Sequence, residues 1–496
     1  MSRSIRSAQT LVTGAGLTVV NLALGFAAAP YLLRTLGADR FGALRTLLDL
    51  AGYAALFDFG VSGALLGSLA PAAARGDEGG VRDAMAAGLR AYSRCAFLLV
   101  AAGIPFALLA PNLRPFAGFD SREIALAAAF LLAPWALMPL AAFRLLAESR
   151  QQGWIVNALT GAQAISTLLL QTAAAHAGWG LPGQTAAVAV AQVPTSAVLF
   201  WMGRRHATLR AGAPLPRAEY GASFFVQAAS RVSLMSDTLL VGWVLGPAAV
   251  AAFALTQRMP SMVQAQLQGV GNATWAALME LHAQGHGARL RARLEELTAL
   301  VSSLGIAVLI PLAIANGALV ESWVGRAGWA GTAASTLACV NAWLWAVSSL
   351  WGWPLSAGGF LRRWAPYAGA ALAVNVAVSV AGIFAIGAAG PLLGTVCGFA
   401  LVNSWALPRV LQGAMGVSPA GLYHAALSPF RWGVPFAAAA WWWWTVCEPS
   451  GASAWIHAAL QAACGLGCWW WFGLNRDARR AWIERASMAV PARQHA

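Results

Sequence analysis

LTALVSSLGIAVLIPLAIANGALV, residues 297–320, is a run of 24 residues without a single charged side chain. About 20 consecutive apolar residues are enough for a helix to cross the hydrocarbon core of a bilayer, so this run predicts a transmembrane helix. Similar runs recur along the whole chain and are separated by short loops. We place them at 8–33, 41–70, 88–110, 124–146, 151–177, 183–203, 219–244, 250–279, 297–320, 330–352, 364–387, 391–411, 428–447 and 452–473. The pattern predicts an all-α, polytopic membrane protein of about 14 transmembrane helices.

The composition agrees with a protein whose main solvent is lipid. Charged residues make up 10% of the 496-residue chain and the mean hydropathy is +0.62, whereas soluble domains carry about 25% charged residues. The longest segments between predicted spans, such as 280–296, are too short for a catalytic domain. All 32 basic residues are arginine, and a P-loop or a pyridoxal enzyme requires lysine. We therefore expect a protein that moves a small molecule or a lipid, with no enzymatic activity, no cofactor and no metal site.

The net charge of +14 is distributed asymmetrically along the chain. Sorted by the predicted spans, 24 of the 32 arginines fall on one side of the membrane and 5 on the other. Because cytoplasmic loops are rich in Arg and Lys, the first side is predicted to be cytoplasmic, and both termini lie there. The basic charge therefore indicates topology, and no nucleic-acid partner is expected.

A weak internal repeat divides the sequence. Leu36-Gly37-Ala38 follows the first span and Leu245-Gly246-Pro247 follows the seventh, an offset of 209 residues. Six spans separate the copies, which predicts two pseudo-symmetric six-helix lobes with a cavity between them near the membrane midplane. The predicted domains are an N-terminal lobe at 1–210, a C-terminal lobe at 211–415, and two additional helices with a basic cytoplasmic tail at 416–496.

Six charged residues stand out inside predicted spans, where a charge costs about 2.5–3.5 kcal/mol unless it faces a cavity or a partner. Arginine offers a planar fork of donors that matches phosphate oxygens. We therefore predict a cationic cavity that binds an anionic head group such as a diphosphate. Its predicted lining is Arg45, Arg231, Arg258, Gln264 and Gln268. The remaining charges, Asp49, Asp58 and Asp237, are candidates for gating or for coupling to H+ or Na+.

A structural alternative is open for these residues. Arg45 and Asp49 are spaced i, i+4 and can neutralise each other on one helix. Asp49 and Arg258 are related by the 209-residue offset, which would let them meet across the central cleft. Each aspartate can also pair permanently with an arginine, and the polar stripes of the spans can serve as hydrogen bonds between helices.

Two segments carry a family resemblance. Leu36–Gly42, followed by Asp58-Phe59-Gly60, resembles the amino-terminal signature of bacterial polysaccharide flippases. Asp237–Gly242, followed by Leu245–Phe253, is similar to the signature that opens their second half. These are the Wzx-type O-antigen translocases of the multidrug/oligosaccharidyl-lipid/polysaccharide exporter superfamily.

The sequence departs from that family pattern at two positions, where Phe41 and Phe253 replace the usual tyrosine. The resemblance implies translocation of an undecaprenyl-diphosphate-linked oligosaccharide by alternating access, for cell-surface polysaccharide such as O-antigen or exopolysaccharide. It implies a location in the bacterial cytoplasmic (inner) membrane, contact with membrane lipids, and polysaccharide polymerase and chain-length proteins as partners.

Other functions compete with this interpretation. An ion-coupled multidrug or cation antiporter of the same superfamily would favour acidic over basic residues in the cavity. A membrane-embedded polysaccharide polymerase or ligase would carry a sizeable outer loop, and the longest predicted one, 111–122, is short. A peptidoglycan-precursor flippase could use the same cavity, so only substrate data separate it from a polysaccharide flippase.

Overall fold

The computed structural model describes residues 3–58, 60–207, 220–474 and 479–480. Within these residues the chain is almost entirely helical and has no strand. The predicted domain boundary at 210/211 and nearly all of the tail after residue 474 lie outside the described residues. By internal contacts the chain divides into two compact units: unit 1 is Met1–Ala254 with Ser379–Pro391, and unit 2 is Leu255–Val378 with Leu392–Ala496. The predicted lobes at 1–210 and 211–415 stay a prediction.

The α-helices of unit 1 begin with a 50-residue helix that contains a break. They are α1 (Arg3–Gly52), α2 (Val61–Arg75), α3 (Glu78–Leu109), α4 (Ser121–Phe130), α5 (Leu132–Ala136), α6 (Ala141–Ser149), α7 (Gly153–His176), α8 (Gly180–Gly203), α9 (Tyr220–Leu245) and α10 (Pro247–Thr256), whose last two residues belong to unit 2. Leu65, Met85 and Phe143 anchor one buried apolar cluster of this unit, and Phe116 and Ile124 anchor another.

The helices of unit 2 pack around the apolar run at residues 297–320. They are α11 (Arg258–Ala283), α12 (Gly287–Val324), α13 (Thr332–Ala357), α14 (Leu361–Ile386), α15 (Gly390–Gly398), α16 (Ser404–Met415), α17 (Pro419–Leu427), α18 (Phe430–Cys447) and α19 (Ala452–Cys468), with Ser379–Pro391 assigned to unit 1. Helix α12 contacts α11, α13, α17, α18 and α19. Its buried Ile306 and Ala307 pack on Trp432 and Phe436 of α18.

Helix lengths support the membrane assignment. Seven of the described helices are long and apolar enough to cross a membrane by length and composition, and a bent pair would make eight. The predicted spans 41–70 and 124–146 are not straight single helices. Gly60 has a φ of 78° where the chain turns from a 3₁₀ turn at Tyr53–Asp58 into α2. Between α4 and α6 the chain forms short helical pieces that contain Pro134 and Pro139. Proline lacks the backbone donor that a continuous helix needs, so the helix is interrupted there.

The two copies of the repeat motif share a local conformation. Gly37 has a φ of 79° and Gly246 a φ of 91°, and both stand where two helical stretches meet. Only glycine adopts this left-handed region without strain. The two copies also contact each other inside unit 1, because a Cβ placed on Gly42 would overlap the Pro247 carbonyl oxygen. Gly42 is therefore required for this close approach of the two backbones.

Candidate functional site

A polar cavity of about 470 Å³ in unit 1 contains two of the predicted site residues. Asp58 and Arg231 both line it, together with Tyr92 of α3 and with Arg144 and Glu148 of α6. Neither Tyr92 nor the α6 pair was among the site residues predicted from the sequence. We call this space the unit 1 cavity.

Asp58 is held rigidly at the start of α2. Its carboxylate accepts hydrogen bonds from the Ser62 backbone N–H at 3.2 Å and from the Ser62 hydroxyl at 2.5 Å. The buried Tyr92 lies within hydrogen-bonding range of the same carboxylate. An acidic side chain at this end of a helix is favoured by the helix dipole and satisfies backbone N–H groups. Asp58 therefore has a clear structural role beside any role in coupling.

The two arginines of the unit 1 cavity differ in their partners. Arg144 Nε lies 2.9 Å from Glu148 Oε1, one helical turn away on α6. Arg231 is exposed on α9 and makes no ion pair or hydrogen bond with any residue that the structure describes. None of its donors is used by a described residue, so Arg231 is the group of this cavity best suited to an anionic oxygen.

Asp49, Asp237 and Arg45 cluster elsewhere in unit 1. Arg45 Nη2 lies 3.1 Å from Asp49 Oδ1, so the expected i, i+4 pair is formed, with Arg45 about half exposed and Asp49 buried. Asp237 of α9 is buried, and Asp49 and Asp237 both act electrostatically on Tyr53. Two of the three predicted coupling carboxylates thus lie close enough to the same tyrosine to act on it electrostatically, a grouping that linear sequence spacing did not indicate.

The predicted site residues of unit 2 lie on α11. Arg258 is its first residue, and Gln264 and Gln268 follow, all half-buried. Gln268 Nε2 donates a hydrogen bond of 2.9 Å to Ser349 Oγ of α13. Gln268 therefore connects two helices, as the alternative interpretation expected. The meeting of Arg258 with Asp49 stays a prediction.

Two ion clusters of unit 1 were not indicated by sequence. At one end of α3, Glu78 lies 2.8 Å from both Arg150 and His206. Elsewhere Arg40 donates two hydrogen bonds to Glu123, which also accepts one from the Leu181 backbone N–H. Each cluster joins segments more than 50 residues apart, so no local motif could have revealed it.

Unit 2 contains an apolar groove of about 740 Å³ between α18 and α19. Pro435, Phe436, Ala439 and Trp443 of α18 line most of its length, and Arg431 stands where α18 begins. Arg431 is exposed and has no ion-pair partner among the described residues. The groove thus offers a long apolar surface with a cation at one end. We call it the α18–α19 groove.

No protein-family model and no curated protein sequence matches this chain. Solved structures do match. The lipid II flippase MurJ, in an inward closed conformation, is 10% identical with a TM-score of 0.69, over 96% of this chain and 100% of that chain. A MATE protein in complex with MaD3S is 15% identical with a TM-score of 0.59, over 88% and 97%. A MOP superfamily transporter from Pyrococcus furiosus is 15% identical with a TM-score of 0.57, over 87% and 96%.

These similarities establish the class of fold. The chain has the fold of the MOP-superfamily transporters, a fold that it shares with the MurJ and MATE structures. The predicted all-α, many-spanned membrane fold is confirmed, and a count of about 14 helices is compatible with it.

Proposed function

We propose that this protein translocates an undecaprenyl-diphosphate-linked oligosaccharide from the inner to the outer leaflet of the bacterial cytoplasmic membrane by alternating access, for synthesis of a cell-surface polysaccharide. Both termini would face the cytoplasm, as the arginine distribution predicts. Such a protein would work beside polysaccharide polymerase and chain-length proteins. The substrate would be an amphipathic anion with three parts: an isoprenoid, a diphosphate and a sugar.

The α18–α19 groove is the observation that carries this proposal. Both Pro429, directly before α18, and Trp443 of α18 line the groove. At a rise of 1.5 Å per residue the stretch between them extends for about 20 Å. A surface of this length lined by Phe and Trp suits an extended hydrocarbon chain, whereas a compact soluble drug has no need of it. Arg431 at one end of the groove matches the anionic group to which such a chain is attached.

The Arg231 side chain supports the same class of substrate. Its guanidinium lines the unit 1 cavity and has no partner among the described residues. A transporter of cationic drugs would place a carboxylate in that position. The acidic side chains of this cavity are instead engaged, Asp58 with Ser62 and Glu148 with Arg144. The four charges of the cavity sum to zero, and the guanidinium of Arg231 is the charged group without a hydrogen-bond or ion-pair partner among the described residues.

The fold similarity agrees with this proposal without deciding the substrate. The lipid II flippase matches over 96% of this chain with a TM-score of 0.69, and the MATE protein over 88% with 0.59. Both lipid-linked and drug substrates occur on this fold, so the groove and the available arginines favour the first. Coupling to H+ or Na+ is part of the proposal for Asp49, Asp58 and Asp237.

The test is a translocation assay with the purified full chain in liposomes. The probe is undecaprenyl diphosphate carrying a short fluorescent oligosaccharide, loaded into both leaflets. The inner pool becomes accessible to an external membrane-impermeant glycosidase only if the lipid is flipped. We expect protein-dependent accessibility and no efflux of ethidium from the same vesicles. Efflux of ethidium without lipid translocation would overturn the proposal in favour of the antiporter.

The cellular counterpart of this assay is the sidedness of lipid-linked oligosaccharide in cells that lack the protein. Accumulation in the cytoplasmic leaflet, reversed by the wild-type gene on a plasmid, is the expected result. An unchanged distribution in a strain without a second flippase would contradict the proposal.

A further inference from the structure

A second cavity of unit 2, distinct from the α18–α19 groove, is lined by tryptophans and hydroxyl groups. Its volume is about 640 Å³, within the range of about 300–1,000 Å³ that is typical of small-molecule sites. It is formed by the last turns of α12, the first turns of α13, the loop between them and the end of α18. All these elements meet at one end of the helices, which the arginine distribution predicts to be the outer one.

The aromatic wall of the cavity comes from two elements. Trp441 and Trp444 are spaced i, i+3 on α18 and both line the cavity. Trp329 lines it from the α12–α13 loop. Trp441 is 58% exposed, so its indole is accessible to a ligand.

Trp329 is held firmly in place before any ligand arrives. Its Nε1 donates a hydrogen bond of 3.0 Å to Ser335 Oγ, which also accepts one from Asn316 Nδ2 at 3.0 Å. Its ring packs on Gly317, where a Cβ would lie 3.0 Å from the ring. A side chain fixed in this way loses little entropy when a ligand binds, which favours binding.

The polar groups of the cavity are ones that a ligand can use. Thr332 and Thr336 share one face of α13, are exposed, and make no side-chain hydrogen bond to another described residue. Glu321, near the end of α12, is exposed and has no ion-pair partner among the described residues. The cavity therefore combines flat aromatic surfaces with one carboxylate and two hydroxyl groups.

We propose that this Trp329–Trp441–Trp444 cavity is a carbohydrate subsite that binds pyranose rings of the substrate. A pyranose presents a face of C–H groups that stacks on an indole, whose ring face is electron-rich. Its hydroxyl groups donate to a carboxylate and exchange hydrogen bonds with threonine hydroxyls. The subsite rests on the proposed function in one respect, because the sugar would belong to the lipid-linked oligosaccharide.

A lipid amine is the competing ligand for a site with tryptophan and a carboxylate, since ammonium groups bind to aromatic faces. The volume and the hydroxyl groups of the cavity favour the sugar. An ammonium group is compact and needs only the carboxylate and one or two rings, whereas the two threonines would have no partner in such a complex.

Binding is measured by saturation-transfer NMR on the full chain in nanodiscs. The probes are soluble mono- to tetrasaccharides of hexoses, hexosamines and 6-deoxyhexoses, with phosphoethanolamine as competitor. We expect at least one glycan to receive saturation. Its Kd should rise at least fivefold in Trp441→Ala and Trp444→Ala, and at least threefold in Glu321→Gln. The matched control is Trp442→Ala, because Trp442 is 66% exposed on the same helix and does not line the cavity.

Three results would overturn the subsite. They are no glycan binding by the wild-type chain, equal binding by Trp441→Ala and wild type, and displacement of the glycan by phosphoethanolamine at equal concentration. The binding assay needs no transport. Glycan binding without lipid translocation in liposomes would therefore remove the proposed function and retain the subsite. Lipid translocation without glycan binding would remove the subsite and retain the proposed function.

Discussion

The unit 1 cavity and the α18–α19 groove differ in how their charge is arranged. The cavity contains Asp58, Arg144, Glu148 and Arg231, and three of these four are engaged with neighbouring side chains. The groove is mostly apolar, with Arg431 at one end. The first suits an anionic head group and the second suits a hydrocarbon chain. An amphipathic lipid needs both kinds of surface, whereas a soluble drug has no need of a long apolar groove.

Removing two of the arginines that the sequence predicts to bind the head group is the strongest way to break this comparison. Arg231→Ala and Arg258→Ala should each lower translocation of a diphosphate-linked lipid by about 10- to 100-fold, because a hydrogen bond to a charged group contributes about 1.5–3 kcal/mol. The liposome assay measures this, with membrane abundance as a check on insertion. Arg82→Ala is the control, since Arg82 is exposed on α3 and does not line the unit 1 cavity. Normal transport by both variants would remove the head-group role of the arginines.

Obstructing the groove tests its half of the comparison. Ala439→Trp fills part of the α18–α19 groove and should slow translocation of the undecaprenyl-linked probe by about tenfold, since a bulky side chain excludes the hydrocarbon chain from its apolar surface. A farnesyl-linked probe should be affected less, because it is shorter. Ala438→Trp is the matched control, as Ala438 is exposed on the same helix and lines neither cavity of unit 2. Equal effects of the two tryptophans would argue against lipid binding in the groove.

Asp58 allows its structural role to be separated from a coupling role. Asp58→Ala should destabilise the protein by about 1 kcal/mol, because it removes the carboxylate that accepts hydrogen bonds from the Ser62 N–H and hydroxyl in the first turn of α2. Asp58→Asn keeps an oxygen that can accept these hydrogen bonds and should leave thermal stability near wild type. If Asp58 takes part in coupling, the Asn variant will lose the dependence of transport on an imposed H+ or Na+ gradient. An Asn variant with unchanged gradient dependence would leave Asp58 a purely structural residue.

Gln268 is expected to give the smallest effect. Gln268→Leu removes its hydrogen bond to Ser349 and should cost about 0.6 kcal/mol, the average for hydrogen bonds between membrane helices. Translocation should change by less than twofold, since the side chain is engaged with α13. A tenfold loss of translocation in a stable Gln268→Leu protein would restore it to the substrate-binding residues.

Much of the architecture could be predicted from the sequence because the bilayer imposes it. Residues 297–320 form part of α12, which several helices of unit 2 surround. The glycines of the two motif copies, Gly37 and Gly246, share a positive φ. The predicted i, i+4 pair of Arg45 and Asp49 is present, since that spacing is decided by local helical geometry.

The site was less predictable, because its members come together only through tertiary packing. Tyr92 and Asp58 line the same cavity although they are 34 positions apart in the sequence, and Trp329 and Trp441 line another although they are more than 100 positions apart. The position of Arg231 inside a predicted span showed that this residue is unusual. Whether it has a partner depends on side chains of other helices. Local helical geometry allows the i, i+4 pair of Arg144 and Glu148, but no spacing in the sequence could show that Arg231 has no ion-pair partner among the described residues.

By itself, the sequence determined that this chain is a many-spanned helical membrane protein, because about 20 apolar residues in a row are stable in lipid only as a helix with its backbone hydrogen bonds satisfied. The tertiary structure decided where backbones approach most closely, as Gly42 does at Pro247 and Gly465 at Ala307. It also decided which polar groups face a cavity. Lipid solvates all apolar helix surfaces about equally well, so apolar burial does not select one packing of the helices. Packing in a membrane therefore depends on shape and on a few hydrogen bonds between distant residues.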